Sequence, residues 1–296
     1  FLACMIPLVG VVLFAPQEMN DSYGGRQQMI GLFIGSVIAF GIGMLDDLYR
    51  VSAVTKLVAL FVLTWFLSWY GIITNLPLPF HYYSNLLLTM VWIAGMISAI
   101  NALDHADGLA AGTAAIAAMM YFFVSVQTAG QDLQFFLGLV SVALIGSLIG
   151  FLQFNRYPAR IFMGDGGSFF LGFILASLGV MGAWSANPVR AAIVPIMILS
   201  LPIFDLVFVI VRRRVTGTTK TLKGAIVYCG KDHIGHRMMD IGFSHRGAVR
   251  IIYLIGFCIA VGALALRRAG VLEAILVFLQ VLLIYVIIIS FMKRRK

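Results

Sequence analysis

The chain has 296 residues, of which 61% are hydrophobic and only 11% are charged, and its mean hydropathy is +1.00. These values exclude an ordinary water-soluble domain and predict an all-α, polytopic membrane protein. The net charge of +9 is what an uneven distribution of basic residues across a membrane produces, so no nucleic-acid binding is inferred from it.

Ten apolar runs approach or exceed the roughly 20 residues that a helix needs to cross a bilayer. In chain order, the predicted spans are residues 1–15, 27–45, 54–74, 84–103, 110–128, 133–153, 166–184, 189–211, 249–266 and 271–291. The first run opens with Phe1 and lacks the features of a signal peptide, so the natural start of the chain is expected to be missing. Residues 1–296 are therefore predicted to form one integral membrane domain.

Basic residues fix the expected orientation. If the ten spans alternate, 17 of the 21 lysines and arginines fall on one side, which is then predicted to face the cytoplasm of a multi-pass protein in the plasma (inner) membrane. Eight of the twelve acidic residues share that side: Asp46, Asp47, Asp104, Asp107, Asp165, Asp205, Asp232 and Asp240. Charges at the ends of spans are costly and usually functional, so a divalent cation or neighbouring basic residues should compensate them.

The first acidic motif is GIGMLDDLYRVSAVTKL, in which Asp46 and Asp47 precede Arg50 and Lys56. Adjacent helical residues point about 100° apart, so one carboxylate could face a metal ion and the other a phosphate oxygen. An ordinary solvated helix end is the alternative.

The second motif is SAINALDHADGLAAG, where Asn101, Asp104 and Asp107 recur every third residue. If this stretch is helical, the three side chains line one face. The structural alternative is that Asp104 caps the next helix.

The third motif, FNRYPARIFMGDGGSFFLG, is the most specific one. Glycines on both sides of Asp165 allow a charged ligand to approach the backbone, and amides at the following helix start could hold phosphate. Arg156 and Arg160 could balance phosphate charge, and Asn155 and Arg160 are candidate substrate-binding residues.

The fourth motif is KDHIGHR, with His233, His236 and Arg237. A phosphate or sugar clamp suits these basic surroundings better than a zinc site, because no further Cys or His lies nearby in the sequence. The apolar spacing from Ile234 to Ile241 indicates a short interfacial helix or a plain surface helix. His81, His105 and His245 stand alone in the sequence.

Taken together, the four motifs resemble those of the polyprenyl-phosphate N-acetylhexosamine-1-phosphate transferases (glycosyltransferase family 4 type). The similarity covers nearly the whole chain. The family's first Asn in the second motif is replaced by Ser98, and one His of its His-rich loop is replaced by Gly235. Its usual first span and its Pro-Gly-rich first cytoplasmic loop have no counterpart in these residues.

The resemblance implies transfer of a sugar 1-phosphate, first of all N-acetylglucosamine 1-phosphate, from a UDP-sugar to polyprenyl (undecaprenyl) phosphate. UMP is released, Mg²⁺ is the cofactor with Mn²⁺ as an alternative, and the product starts a cell-envelope polysaccharide. The implied catalytic residues are Asp46, Asp47, Asp104 and Asp107, and the implied metal ligand is Asp165. The implied substrate-binding residues are Lys56, Asn101, Asn155, Arg160, His233, His236 and Arg237.

Three functional alternatives stay open at this point. Within the family, the chain could be a phospho-N-acetylmuramoyl-pentapeptide transferase. From another class, it could be a transporter, for which Asp205 beside Pro202 inside a span is the best indication. A structural scaffold is the third. The oligomeric state also stays open, with a homodimer as one alternative, and membrane lipid is a further expected partner.

Overall fold

The computed structural model describes residues 4–6, 9–10, 25–128, 132–228, 230, 232–267 and 269–293, and these ranges contain helices and no strand. The helices are α1 (Gly25–Tyr49), α2 (Ala53–Ser68), α3 (His81–Leu103), α4 (Leu109–Gln127), α5 (Asp132–Asn155), α6 (Gly164–Met181), α7 (Pro188–Ile198), α8 (Ser200–Val215), α9 (Leu222–Val227), α10 (Ile234–Asp240), α11 (His245–Leu266) and α12 (Val271–Lys293).

The all-α, polytopic prediction is confirmed, but the count of ten spans is not. Within the described ranges, seven helices are long and apolar enough to cross a membrane, and the bent pair α7 and α8 could form an eighth span. The predicted span 1–15 lies largely outside the described residues. The two described cysteines, Cys4 and Cys258, are free thiols, and Cys229 is not among the described residues.

One predicted span, residues 54–74, is too long. The observed helix α2 has 16 residues, and a turn follows it at Trp69, Tyr70 and Gly71. Gly71 has a φ of 76°, a left-handed conformation that glycine adopts without a steric penalty. The turn ends the helix although the sequence stays apolar.

The predicted span 189–211 is divided in two. Helices α7 and α8 meet at Leu199 with a bend of 74°. Pro202 has no backbone N–H to donate to the preceding turn, and Pro195 removes a second helical hydrogen bond. The bend directs α8 toward the end of the bundle where the histidine-containing loop lies.

Helix α6 forms the centre of the bundle, packed against α1 and α3. In the most apolar 18 residues of α6, 72% of the residues are buried, whereas the share is only 11% in the peripheral α12. Glycine permits the close packing, since a Cβ at Gly43 would overlap the Asp165 carbonyl, and one at Gly172 would overlap the backbone of Ile97. The end of α1 is therefore held directly against the start of α6, and α3 is held against the middle of α6.

All four sequence motifs lie at one end of the bundle, which also carries Lys56, Arg156, Arg213 and Arg246 and is called the basic end below. Contacts between Asp47 and Asp165, between Asp107 and Ala159, and between His105 and His233 connect the motifs there. At the opposite end, Gln27 bonds to Trp69 and Arg267 bonds to Gln127. The four motifs therefore meet at one end of the bundle, and the orientation of that end in a membrane stays a prediction.

Candidate active site

Asp47 connects the first motif with the third. Its two carboxylate oxygens accept hydrogen bonds from the backbone N–H groups of Asp165, at 2.9 Å, and Gly166, at 3.0 Å. Donors at the start of a helix have no partner within the helix, and the helix dipole also favours a negative charge there. Asp47 therefore occupies two of the amides at the helix start in this structure, and phosphate binding at the helix start stays a prediction.

Gly164 makes this contact sterically accessible. Its φ is 67°, and a Cβ at this position would lie 2.9 Å from Oδ2 of Asp47. Any other residue would have both a strained backbone and a clash with the carboxylate. The absence of a side chain at Gly164 thus allows Asp47 to reach the start of α6.

Asp46 is paired with a cation. Nζ of Lys56 lies 2.5 Å from Oδ2 of Asp46, whose side chain is only 4% exposed. The carboxylate of Asp46 also lies within hydrogen-bonding reach of Asp165. The two adjacent aspartates consequently have different partners, as the first motif predicts. Asp46 is buried, whereas Asp47 lies at the exposed end of the helix.

Asp165 is positioned by the second motif. Nδ2 of Asn101 donates to Oδ1 of Asp165 at 2.6 Å and lies 2.9 Å from Oγ of Ser168. One oxygen of Asp165 is thus fixed by an amide. The carboxylate has its orientation set before any ligand arrives.

The second motif is helical only in part. Helix α3 ends at Leu103, and Asp104 and Asp107 lie in the turn that leads to α4. The N-cap of α4 is Gly108, with a φ of 77° and no side-chain cap, so the alternative in which Asp104 caps the next helix is wrong. The turn nevertheless brings Asn101, Asp104 and Asp107 to one cavity.

Asn155 holds this turn against the third motif. Its Oδ1 accepts from the N–H of Gly108 at 3.1 Å, and its Nδ2 donates to the carbonyl of Ile161 at 2.9 Å. Because both ends of its amide have backbone partners, Asn155 acts as a positioning residue here. Direct contact with a substrate stays a prediction.

Two adjoining cavities contain the acidic side chains. One, of about 370 Å³, is lined by Asn101, Asp104, Asp107, Asn155, Phe162 and Asp165, among others. The other, of about 360 Å³, is lined by Asp46, Asp47, Arg50, Val51, Lys56 and Asp165. Asp165 borders both cavities. Five carboxylates from three motifs therefore surround one region at the basic end.

The clustering changes the acidity of Asp104. Burial, followed by the negative charges of Asp165, Asp107 and Asp47, raises the pKa of Asp104 from 3.8 to about 7. A cation bound among these carboxylates would favour the ionised forms. The donors are hard carboxylate oxygens, which are the ligands that Mg²⁺ and Mn²⁺ prefer. The chemistry of these donors fits such an ion, although no three of these carboxylates meet within 4.8 Å among the described residues.

The histidine-containing loop is fixed by a buried carboxylate. Asp205, on α8, lies 2.7 Å from Nδ1 of His233 and accepts a hydrogen bond from the N–H of Ile234 at 2.7 Å. Its side chain is completely buried. Asp205 thereby holds the start of α10 and orients His233, and it points to the basic end and not to a pathway through the bundle.

The same loop has a second anchor. Arg213 donates two hydrogen bonds to Asp232, at 2.7 and 2.6 Å. Burial would raise the pKa of Asp232, yet the hydrogen bonds and charge of Arg213 lower it below its ordinary value. Arg237 donates to the carbonyl of Met292 at 2.6 Å. The expected helix is present as α10, and its apolar residues Ile234 and Met238 are buried in the protein.

His105 does not stand alone, contrary to expectation. Its ring centroid lies 5.1 Å from that of His233 and 4.9 Å from that of His236, and the residue also lines the acidic cavity. Burial lowers the pKa of His105 to about 4, so the ring is neutral at pH 7. His105 therefore connects the histidine-containing loop to the carboxylates. His245 is not alone either, because it stacks on Tyr157.

Arg160 lies apart from the acidic cavities. It lines a neighbouring pocket with Arg156, Arg246 and Arg250, and this pocket shares only Asp107 with the cavity around Asp165. Its role in substrate binding stays a prediction.

Comparison with known proteins identifies a family and several relatives of this chain. The family model described as glycosyl transferase family 4 matches residues 29–183. The chain is 36% identical over 273 residues to the "Probable undecaprenyl-phosphate N-acetylglucosaminyl 1-phosphate transferase" of Bacillus subtilis, an alignment that covers 88% of this chain and 72% of the relative. It is 30% identical over 288 residues to the decaprenyl-phosphate N-acetylglucosaminephosphotransferase of Mycobacterium tuberculosis, covering 88% and 70%.

A third relative belongs to the other branch that the sequence suggests. The chain is 33% identical over 175 residues to the phospho-N-acetylmuramoyl-pentapeptide-transferase of Clostridium beijerinckii, and this alignment covers 52% of each chain. The matched family region contains Asp46, Asp47, Asp104, Asp107 and Asp165, which the structure brings together. The chain belongs to glycosyl transferase family 4 and is a membrane-bound enzyme of the phosphotransferase type.

Proposed function

We propose that the chain transfers N-acetylglucosamine 1-phosphate from UDP-N-acetylglucosamine to polyprenyl phosphate. The observation that carries this proposal is the convergence of five aspartates and Lys56 around two adjoining cavities in a family 4 membrane protein. The names of two relatives that each match 88% of the chain support N-acetylglucosamine as the sugar. The phospho-N-acetylmuramoyl-pentapeptide-transferase matches only 52% of the chain.

In the reaction, an oxygen of the lipid phosphate forms a bond to the phosphorus that carries the sugar. The bond between this phosphorus and the oxygen bridging to the nucleotide's α-phosphate breaks, and UMP leaves with the electron pair. The product is polyprenyl diphosphate N-acetylglucosamine. A phosphate monoester is largely dianionic at pH 7, so the attacking oxygen needs no strong general base.

Direct attack is favoured over a covalent aspartyl-phosphate intermediate. Both oxygens of Asp47 are used by the α6 amides, and Asp46 is paired with Lys56. Neither carboxylate has the free, activated oxygen that a nucleophile requires. Asp47 instead fixes the start of α6, and Lys56, at the start of α2, can meet the headgroup of the lipid substrate.

Mg²⁺, or Mn²⁺ in its place, would be held by Asp165 together with the facing carboxylates and would neutralise phosphate charge. Asn101 orients Asp165, while Asp104 and Asp107 lie across the same cavity. His233, His236 and Arg237 belong to a loop that His105 connects to this cavity, so they are proposed to contact the sugar or the diphosphate.

The protein is proposed to lie in the plasma (inner) membrane with its basic end in the cytoplasm, where UDP-sugars are made. The bias of basic residues supports this orientation. The function in cell-envelope polysaccharide synthesis, and a homodimer, are further proposals.

A panel of UDP-sugars tests the proposal. Purified protein in detergent is mixed with polyprenyl phosphate, Mg²⁺ and one UDP-sugar, and UMP release is measured. UDP-N-acetylglucosamine should give the highest kcat/KM, and omission of polyprenyl phosphate should abolish release. A preference for UDP-N-acetylmuramoyl-pentapeptide would move the chain to the other branch, and no UMP with any donor would contradict the proposal.

A further inference from the structure

The pocket that contains Arg160 has a charge that the protein does not balance. It has a volume of about 540 Å³ and lies at the basic end beside the acidic cavities. Four arginines line it: Arg156, Arg160, Arg246 and Arg250. Among the described residues no carboxylate forms an ion pair with any of them, and the pocket's one acidic residue, Asp107, accepts a hydrogen bond from the N–H of Ala159.

The two arginines on α11 stand where the helix itself disfavours them. Arg246 is in the first turn and Arg250 lies one turn later, on the same face. Like charges four residues apart repel each other, and a cation near a helix N-terminus opposes the helix dipole. An anion bound between the arginines would offset both effects. The arrangement is unfavourable for the protein alone and favourable for an anion complex.

Aromatic groups give the pocket a defined wall. The ring of His245 stacks on that of Tyr157 with centroids 4.5 Å apart, and the guanidinium of Arg246 lies 5.7 Å from the centroid of Tyr157. Nε2 of His245 is buried and has no hydrogen-bond partner in the described part of the chain. Nε2 of His245 thus lacks the partner that a phosphate oxygen would supply. Arg246 donates one hydrogen bond, to the carbonyl of Tyr157 at 3.3 Å, and its other N–H groups remain for a phosphate.

The surroundings indicate a lipid and not a soluble anion. Below Arg250, the same face of α11 continues with Leu254, which is 63% exposed, and with the exposed Cys258. Phe154, at the end of α5, is 53% exposed beside the pocket. Arginines at the membrane surface followed by an exposed apolar face match a phosphate headgroup with acyl chains beneath it. Basic pockets between spanning helices bind anionic headgroups in this way.

We propose that the arginine pocket binds the phosphate of an anionic phospholipid headgroup from the surrounding membrane, as a site separate from the acidic cavities. This proposal does not depend on the transferase reaction, and its test needs no turnover. It assigns Arg246 and Arg250 to lipid recognition.

The test measures lipid binding to the purified full chain in detergent by native mass spectrometry. Dioleoyl-phosphatidylglycerol is compared with dioleoyl-phosphatidylcholine, which has the same acyl chains and no net charge. Phosphatidylglycerol should bind at least about tenfold more tightly. The double variant Arg246→Gln, Arg250→Gln should weaken this binding about thirtyfold, as expected for two arginine contacts at a membrane surface.

Matched variants separate the pocket from general charge. Lys220→Gln with Lys223→Gln removes two exposed charges at the same end outside the pocket and should change the affinity by less than about twofold. Arg246→Lys with Arg250→Lys keeps the charge and should retain most of the binding. If the double Gln variant does not fold, Arg250→Gln alone should lose about fivefold, since the described residues give this exposed side chain no partner.

Three results would overturn the proposal. One is equal binding of the two phospholipids, and another is equal loss of affinity in the arginine and lysine variants. The third is binding of inorganic phosphate or UMP at the same arginines without a preference for phosphatidylglycerol, which would make the pocket a site for soluble phosphates.

Discussion

Asp165→Asn is the most informative single substitution, because activity should fall while stability is kept or slightly raised. Asn has nearly the same shape as Asp, so the hydrogen bond from Asn101, 2.6 Å long in the native protein, keeps an oxygen acceptor. The contact with the carboxylate of Asp46 loses its like-charge repulsion. We expect the protein to insert and fold normally, with stability equal to the native protein or higher by about 1 kcal/mol or less.

Activity should fall because the two cavities lose the carboxylate that borders both. Mg²⁺ usually has one or two carboxylate ligands besides phosphates and water. Neutralising one of them therefore removes a large part of the negative charge that the protein contributes to the ion. We expect turnover to drop by roughly a hundredfold or more, which corresponds to a barrier of about 2.7 kcal/mol.

The assay is UMP release at several Mg²⁺ concentrations, together with thermal unfolding of the same samples. Asp240→Asn is the matched control, since Asp240 is an exposed residue of α10 at the same end and lines neither acidic cavity. The control should keep native turnover. Near-native turnover of Asp165→Asn at ordinary Mg²⁺ concentration would refute the metal-ligand assignment. Loss of folded protein would contradict the expectation that the protein folds without the charge of Asp165.

Asp47→Ala removes both hydrogen bonds to the start of α6 and should cost about 1–2 kcal/mol of stability, so an unchanged unfolding temperature would contradict the capping role. Lys56→Ala should raise the KM for polyprenyl phosphate more than that for the UDP-sugar, and equal changes in both would count against a lipid-phosphate contact. Asp104→Asn and Asp107→Asn should each lose activity while the protein stays folded, whereas loss of folded protein would indicate a structural role. Burial and the neighbouring carboxylates raise the pKa of Asp104 from 3.8 to about 7, so folded, metal-free protein binds more protons than unfolded protein between these pH values. The lowered pKa of His105 acts in the opposite direction over part of this interval, so the test is the difference between native protein and Asp104→Asn. The unfolding temperature of the native protein should fall relative to that of the variant as the pH rises from 4 to 7, and parallel profiles would disprove the assignment.

The local sequence predicts which residues gather at the basic end, because composition and the bias of basic residues decide which turns share a side. Asp165 between glycines, and the pair Asp46 and Asp47, are visible in this way. The helical class and most span positions follow from apolar run lengths. The short α2 and the bent pair α7 and α8 do not, because apolar runs show neither the turn at Gly71 nor the bend beside Pro202.

Partners distant in sequence could not be predicted from the motifs. The oxygens of Asp47 bind amides 118 and 119 residues away, a contact that depends on the close approach of α1 and α6 at Gly43. His105 looks isolated in the sequence, yet it meets the histidine-containing loop through the fold. Asp205 carries one sequence signal, a carboxylate inside an apolar run, but this signal alone does not distinguish an ion pathway from an anchor for His233.

The arginine pocket illustrates a further limit. Arg246 and Arg250 contribute to the bias of basic residues, which explains their presence without assigning them a function. Only the fold shows that they converge with Arg156 and Arg160 on one cavity.

The central claim is that a sugar 1-phosphate is transferred, and UDP-N-acetylglucosamine labelled with ³²P in its β-phosphate tests it most directly. The purified protein is mixed with this donor, polyprenyl phosphate and Mg²⁺, and lipid and aqueous products are separated. We predict that the label enters the lipid fraction in a 1:1 ratio with UMP release, and that Asp165→Asn greatly reduces both. Label that stays in the aqueous phase as UDP while the sugar enters the lipid would show transfer of the sugar alone and would contradict the account.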